Sequence, residues 1–157
     1  MTEATQQLLD VIARILPPFA PPVRRCISNL LRNAGDFDSA TASARRAGFR
    51  NRYDMARALK SAGLSPFTEL AQEIRVLAWI LDAGEEGGTL ASIALSDGSD
   101  PAVRYRLTKK VTGLTWTEVN GCGRGWLLVQ FLARLYANSE RSRPSRSQAA
   151  RASASSR

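Results

Sequence analysis

Arginine and lysine are the residues whose number and placement could do chemistry in this chain, and the chemistry they favour is the binding of anions. Arg45, Arg46, Arg50, Arg52, Arg57 and Lys60 stand between residues 45 and 60 with Asp54 as the sole acid. Arg104, Arg106, Lys109 and Lys110 stand between residues 98 and 112 with Asp100 as the sole acid. Beyond Ala137 come five more arginines against Glu140. The whole chain carries +8 at pH 7, so the remaining stretches together are acidic. A charge confined in this way is the electrostatic footprint of a nucleic-acid binder. The plainer reading, that charge runs are solvated helix faces, does not explain why the first two clusters fall at matching places in a repeat. Ala62-Gly63-Leu64-Ser65 returns as Thr112-Gly113-Leu114-Thr115, and Gly48 returns as Gly98, both after fifty positions.

Other chemistry is poorly provided for. There is no histidine, which removes the commonest general base, the usual activator of a serine or cysteine nucleophile and a favoured metal ligand. Cys26 and Cys122 form no CxxC pair, so neither a structural zinc site nor a redox motif is expected. No GxxxxGK[ST] loop or GxGxxG turn occurs, and GCGRG at residues 121–125 follows no predicted strand. We therefore expect no enzyme, no cofactor and no metal. The N-terminal stretch has no basic region before its apolar part, unlike a signal peptide. No apolar run approaches the roughly 20 residues of a membrane span. The expected location is the cytoplasm, in association with the nucleoid, and no membrane partner is expected.

The elements that must position the two clusters are helices. The most clearly marked covers residues 66–83. Phe67, Leu70, Ile74, Leu77 and Leu81 recur at helical spacing on one side, while Val76, Trp79 and Ile80 lie roughly opposite. A helix apolar on two sides needs a partner on each. Ser65 is the expected cap, with Pro66 at the first helical position and Gly84 as the left-handed terminator. Before it, residues 4–16 form an amphipathic helix stopped by Pro17-Pro18, which extends the domain or docks on it. Residues 23–33 form a second helix, and Phe37 then enters the first core. A short helix from Asp38 or Ser39 through Ala47, a turn at Gly48 and a basic helix at about residues 51–61 follow. On the basic helix Tyr53, Ala56 and Leu59 are expected to face inward, with Arg52, Arg57 and Lys60 outward.

After the central helix the pattern repeats. Thr89 caps residues 90–95, Asp97-Gly98 is the turn, and Asp100 caps a helix that starts at Pro101. Val103, Leu107 and Val111 are its expected inward stripe. A final helix, broken near residues 121–125, closes the second lobe with Trp126, Leu128, Val129, Leu132 and Leu135. The serine-, alanine- and arginine-rich tail has little to bury and is expected to be disordered. The fold class is thus all-α, two helix-turn-helix lobes joined by a central linker helix, with an N-terminal helix and a disordered tail. The expected division is an extension at 1–20, a double helix-turn-helix domain at 21–136 and a tail at 137–157. Within the domain, lobe one is 21–65, the linker 66–83 and lobe two 88–136.

Residues 97–115, DGSDPAVRYRLTKKVTGLT, resemble the second helix-turn-helix of the AraC/XylS family of bacterial transcription regulators, with Arg106, Lys109 and Thr112-Gly113 in register. Gly48-Phe49, Arg57, Lys60 and Gly63-Leu64-Ser65-Pro66 resemble the first copy, so the likeness spans about residues 23–120. It departs from the pattern at Ser99, where the family has an aromatic, at Thr108, where it has phenylalanine, and at Trp116, where it has proline. The family's usual sensor domain is not expected, since some 20 residues precede the first lobe.

The resemblance implies a sequence-specific regulator that inserts two recognition helices into successive major grooves of double-stranded DNA. RNA polymerase or a separate sensor protein would be its protein partners. Arg50, Asn51, Arg52 and Arg57, with Asp100, Ala102, Arg104 and Arg106, fall on the expected groove side, and Lys60, Lys109 and Lys110 on phosphates. Because lobe one keeps the motif better, base discrimination is expected there. The competing readings are a protein-interaction adaptor built on the same frame and a non-specific nucleic-acid binder.

Overall fold

Runs of apolar residues at helical spacing become α-helices throughout the computed structural model, which describes residues 1–86 and 100–141 together with Thr89, Ala91, Ala94, Leu95 and Gly98. The major helices are α1 (Glu3–Ile15), α2 (Pro21–Arg32), α3 (Ala40–Ala47), α4 (Arg52–Ser61), α5 (Phe67–Glu86), α6 (Pro101–Thr112), α7 (Trp116–Gly121) and α8 (Arg124–Arg141). No strand occurs among the described residues. Chain ends of these helices follow local chemistry. Thr2, Ser39, Asn51, Asp100 and Thr115 each accept a backbone N–H from the first turn of α1, α3, α4, α6 and α7. At α7, Glu118 reaches back to Thr115 and completes a capping box. None of the helices is long and apolar enough to cross a membrane among the described residues.

The two apolar faces of α5 enter two separate clusters. Phe67, Leu70, Ile74, Leu77 and Leu81 join the larger one with Leu9, Ile12, Ile27, Leu31, Met55 and Leu59. Val76 and Ile80 join Val119, flanked by Trp79, Leu107, Val111, Leu114 and Trp116. α5 thus contacts α1, α2 and α4 with one side and α6 with the other. Its ends differ from expectation. The helix continues through Gly84 to Glu86, since a mid-helix glycine costs only about 1 kcal/mol against alanine and buried neighbours outweigh it. The Ser65 hydroxyl donates to Glu73 Oε1 at 2.8 Å rather than capping the helix, and the Pro66 carbonyl accepts the Leu70 N–H.

α1 docks on the larger cluster through Leu9 and Ile12, both essentially inaccessible, and packs on α2 and α5. The α2–α3 turn presses Gly35 against α5, where a Cβ would meet the Ala71 carbonyl at 2.3 Å. Arg75 fastens the contact, donating to the Gly35 carbonyl at 3.1 Å and pairing with Asp36 at 2.7 Å. The glycines of the repeat agree in conformation. Gly48 and Gly98 have φ 89° and 66°, and Gly63 and Gly113 have φ 69° and 75°. Thr89 and the expected helix at 90–95 lie in the stretch where most residues are outside the described set.

α8 corrects the expected lobe assignment. Its Leu127 touches both clusters, but its buried residues Phe131 and Leu135 enter the larger one rather than the second lobe. Asn138 donates to the Gly63 carbonyl at 2.9 Å and Tyr136 to that of Ile15 at 2.8 Å. Val129, expected inward, is exposed. Helical spacing explains the choice, because 131, 135 and 138 form one stripe and 129 lies on the other side. The expected tail boundary at 137 also moves: Ala137–Arg141 continue α8, with Asn138 and Ser139 buried. The expectation for residues 142–157 lies outside the described residues.

Replacing Ile74, fully buried in the larger cluster, with alanine is expected to cost about 2 to 5 kcal/mol, read from urea unfolding. The two thiols should also separate cleanly. Burial pushes Cys26 up to about 12, while Cys122 is exposed. An aromatic disulfide reagent at pH 8 should modify one thiol in the native protein and both in urea.

Candidate nucleic-acid interface

The short α3, the turn at 48–51 and the basic α4 are built by local interactions. Ser39 starts α3 by accepting from the Ala42 N–H at 3.1 Å. Gly48 ends it in the left-handed region, and the Phe49 N–H returns to the Ala44 carbonyl at 2.9 Å. Arg25 braces the turn from α2, its Nε donating to the Ala47 carbonyl at 2.9 Å. Asn51 then starts α4, its Oδ1 accepting from the N–H groups of Tyr53 and Asp54, each at 2.9 Å.

Met55 and Leu59 are the inward residues of α4. The opposite face shows Arg52, Tyr53, Ala56, Arg57 and Lys60 to solvent. Two of these correct the sequence reading. Tyr53, expected in the core, is 64% exposed, and Ala56 is exposed as well. Once Met55 and Leu59 point inward, residues 53 and 56 are carried round to the solvent side by the 100° step of the helix. The spacing of Met55, Leu59 and Ala62 carries this register in the sequence.

The exposed groups are linked. The Arg52 guanidinium lies 4.9 Å from the Tyr53 ring centroid and donates to the phenol oxygen at 2.9 Å. That hydrogen bond holds the Tyr53 phenol below its ordinary range. Asp54 pairs with Arg57 and accepts from Arg50 Nε at 3.2 Å. The hydrogen bond from Arg57, reinforced by the Arg50 charge, keeps this carboxyl below the usual carboxylate range. Arg50 and Arg57 remain 90% and 77% exposed at their side chains, so both pairs are open to exchange with another anion. Arg45 and Arg46, also exposed, close the α3 side, and Arg46 pairs with Asp38.

α6 presents a different surface. Asp100, placed by sequence on the groove side, accepts the Ala102 N–H at 2.8 Å as the helix cap. Ala102, Arg106, Lys109 and Lys110 are exposed as expected, and Lys110 Nζ donates to Gln72 at 3.2 Å. Arg104 is corrected: it is only 4% exposed, with its guanidinium 4.6 Å from the Trp79 ring centroid. Val103 accordingly turns outward and is 49% exposed, while Thr108 is buried. Periodicity treats arginine as polar, but its long stem and planar head can lie on an indole and occupy a position in the packed stripe. Of the four cations of the second cluster, Arg106, Lys109 and Lys110 are left on an exposed face at i, i+3 and i+4. No cluster of three or more acidic, cysteine or histidine side chains suited to a metal occurs among the described residues. No protein-family profile matches the chain, and neither curated proteins nor solved structures give a match to it.

The low-lying Asp54 has a pH consequence. Its stabilising contribution is present above the carboxylate's unfolded value and is lost as pH falls through the lower folded value. Wild-type stability relative to Asp54→Asn should therefore be highest near neutrality and converge on the variant in acid. Urea midpoints of both proteins from pH 7 down to about pH 3 check the sign.

Proposed function

We propose that the chain is a sequence-specific DNA-binding transcription regulator of the AraC/XylS kind. The observation that carries this reading is the exposed face of α4, where Arg52, Tyr53, Ala56, Arg57 and Lys60 line one side of a helix set on a left-handed glycine turn. A helix of this kind fits the width of a major groove, and an arginine fork matches the O6 and N7 acceptors of guanine. Ala56 leaves room for close approach between the two arginines. Arg45 and Arg46 flank the face and, with Lys60 at its end, suit phosphates.

In this reading the recognition step is an exchange of partners. Arg57 and Arg50 leave Asp54 for the duplex, and Tyr53 keeps Arg52 extended over its ring until a base edge replaces the phenol. α6 would lie against the neighbouring groove, contributing Arg106, Lys109 and Lys110 mainly to the backbone, since Arg104 is held by Trp79. The 20 residues of α5 span about 30 Å at 1.5 Å per residue, comparable with the roughly 34 Å between grooves one turn apart. The arginines of the tail add attraction for phosphates without sequence information. A separate sensor protein and RNA polymerase are the protein partners this role implies.

Selection from random duplexes should return a preferred site, against which a scrambled duplex binds more weakly at the same salt. Arg52→Ala is expected to cost about 1 to 3 kcal/mol on that site and to relax the choice at one base pair. Arg106→Ala should weaken both duplexes by a similar factor. Failure to enrich any sequence, with equal binding of all duplexes, would leave only non-specific attraction.

A further inference from the structure

The seam between the α2–α5 contact and α6 encloses a cleft of about 710 Å³, within the usual range of small-molecule sites, roughly 300–1,000 Å³. Its apolar walls come from Ala78 and Trp79 of α5 and from Val103 and Leu107 of α6. Arg32 and Arg75 border it on one side and Arg104 on the other. The carboxylates around it are already engaged. Asp36 pairs with Arg75 at 2.7 Å, Asp82 with the N-terminal ammonium at 3.4 Å, and Asp100 caps α6. Asp82 is held in its charged form, since the Thr2 donors and the terminal ammonium outweigh the burial that pushes it up.

Arg32 and Arg75 are less fully used. Arg32 forms no ion pair among the described residues, and both hydrogen bonds of the Arg75 head, to Gly35 and Asp36, are made by the same nitrogen, Nη2. Arginine forks recognise carboxylate and sulfonate oxygens in two-point fashion, and an indole wall offers apolar area to a flat ring.

We propose that this cleft binds a small organic anion, a carboxylate or sulfonate carried on a planar apolar body. The anionic group meets Arg32 and Arg75, and the ring lies along the apolar wall formed by Trp79, Val103 and Leu107. The occupant would join α6 to the α2–α5 contact. Occupancy of the cleft does not depend on DNA.

The chain has three tryptophans, so the indole N–H region of a nitrogen-15 correlation spectrum is simple enough to follow, with Trp79→Phe assigning the relevant signal. The probes are 2-naphthoate and its neutral counterpart 2-naphthalenemethanol. We expect a saturable shift of the Trp79 signal with naphthoate, an affinity for the alcohol lower by about tenfold or more, and a similar loss of naphthoate affinity in Arg75→Gln. Arg75 also holds the Gly35 turn, so Arg32→Gln, at an exposed position, is the second variant and should weaken naphthoate without altering the unliganded spectrum. The proposal is overturned if the Trp79 signal does not saturate, if acid and alcohol bind equally, if Arg32→Gln retains full naphthoate affinity, or if only Trp126, on a separate cavity of about 240 Å³, responds.

Discussion

Everything in this chain is arranged around the obligation of α5 to bury two faces at once. An amphipathic helix at the surface needs one apolar partner; α5 places Ile74 and Leu77 in one cluster and Val76 and Ile80 in another. The two clusters are unequal. The larger draws buried residues from α1 to α5 and from α8, whereas the smaller contains only Val76, Ile80 and Val119 as fully buried members among the described residues. A core of that size provides little stability by itself. The orientation of α6 is therefore set by α5, with Trp79, Leu107 and Val111 completing the contact.

The Arg104–Trp79 contact follows from this shortage of apolar area. Where three aliphatic side chains cannot cover the face of α5, the stem of an arginine and the plane of its guanidinium supply area against the indole. The arrangement turns α6 so that Arg104 and Thr108 face inward and Val103 outward. It also removes one cation from the surface on which Arg106, Lys109 and Lys110 remain. The asymmetry between α4, with a continuous basic and aromatic face, and α6, with a smaller one, thus has a packing cause.

Features governed by nearest neighbours are legible in the sequence. The Asn51 and Asp100 helix starts, the turn at Gly48, the stop before Pro17-Pro18 and the two faces of α5 each depend on a few adjacent residues. Features decided by competition between distant residues are not. Tyr53 and Met55 could each have been the inward residue of α4; Met55 packs beside Cys26, with the sulfur atoms 3.8 Å apart, and Tyr53 is displaced to solvent. The stripe of Phe131, Leu135 and Asn138 is visible on a helical wheel, but nothing local says that it belongs with Gly63 and Leu9 rather than with the helices next to it in sequence. Of the candidate interface residues, those on α4 lie on one surface, while Arg104 depended on a contact with a residue 25 positions away.

α8 adds a constraint that the linker alone does not provide. If α5 were the sole connection, α6 and α7 could pivot about it at the cost of a small cluster. α8 leaves the end of α7, passes α5 and fastens to the first half of the chain through Phe131, Leu135, the Arg134–Glu73 pair at 2.5 Å and the Asn138–Gly63 hydrogen bond. Leu127 near its start touches both clusters. The second half is thereby tied to the first at two places, α5 before it and α8 after it. Two attachments oppose rotation where one would permit it, so the separation of α4 and α6 becomes a property of the packed body. For a protein proposed to address two grooves of one duplex, a spacing fixed before binding spares the ordering cost that a hinged pair would incur on contact.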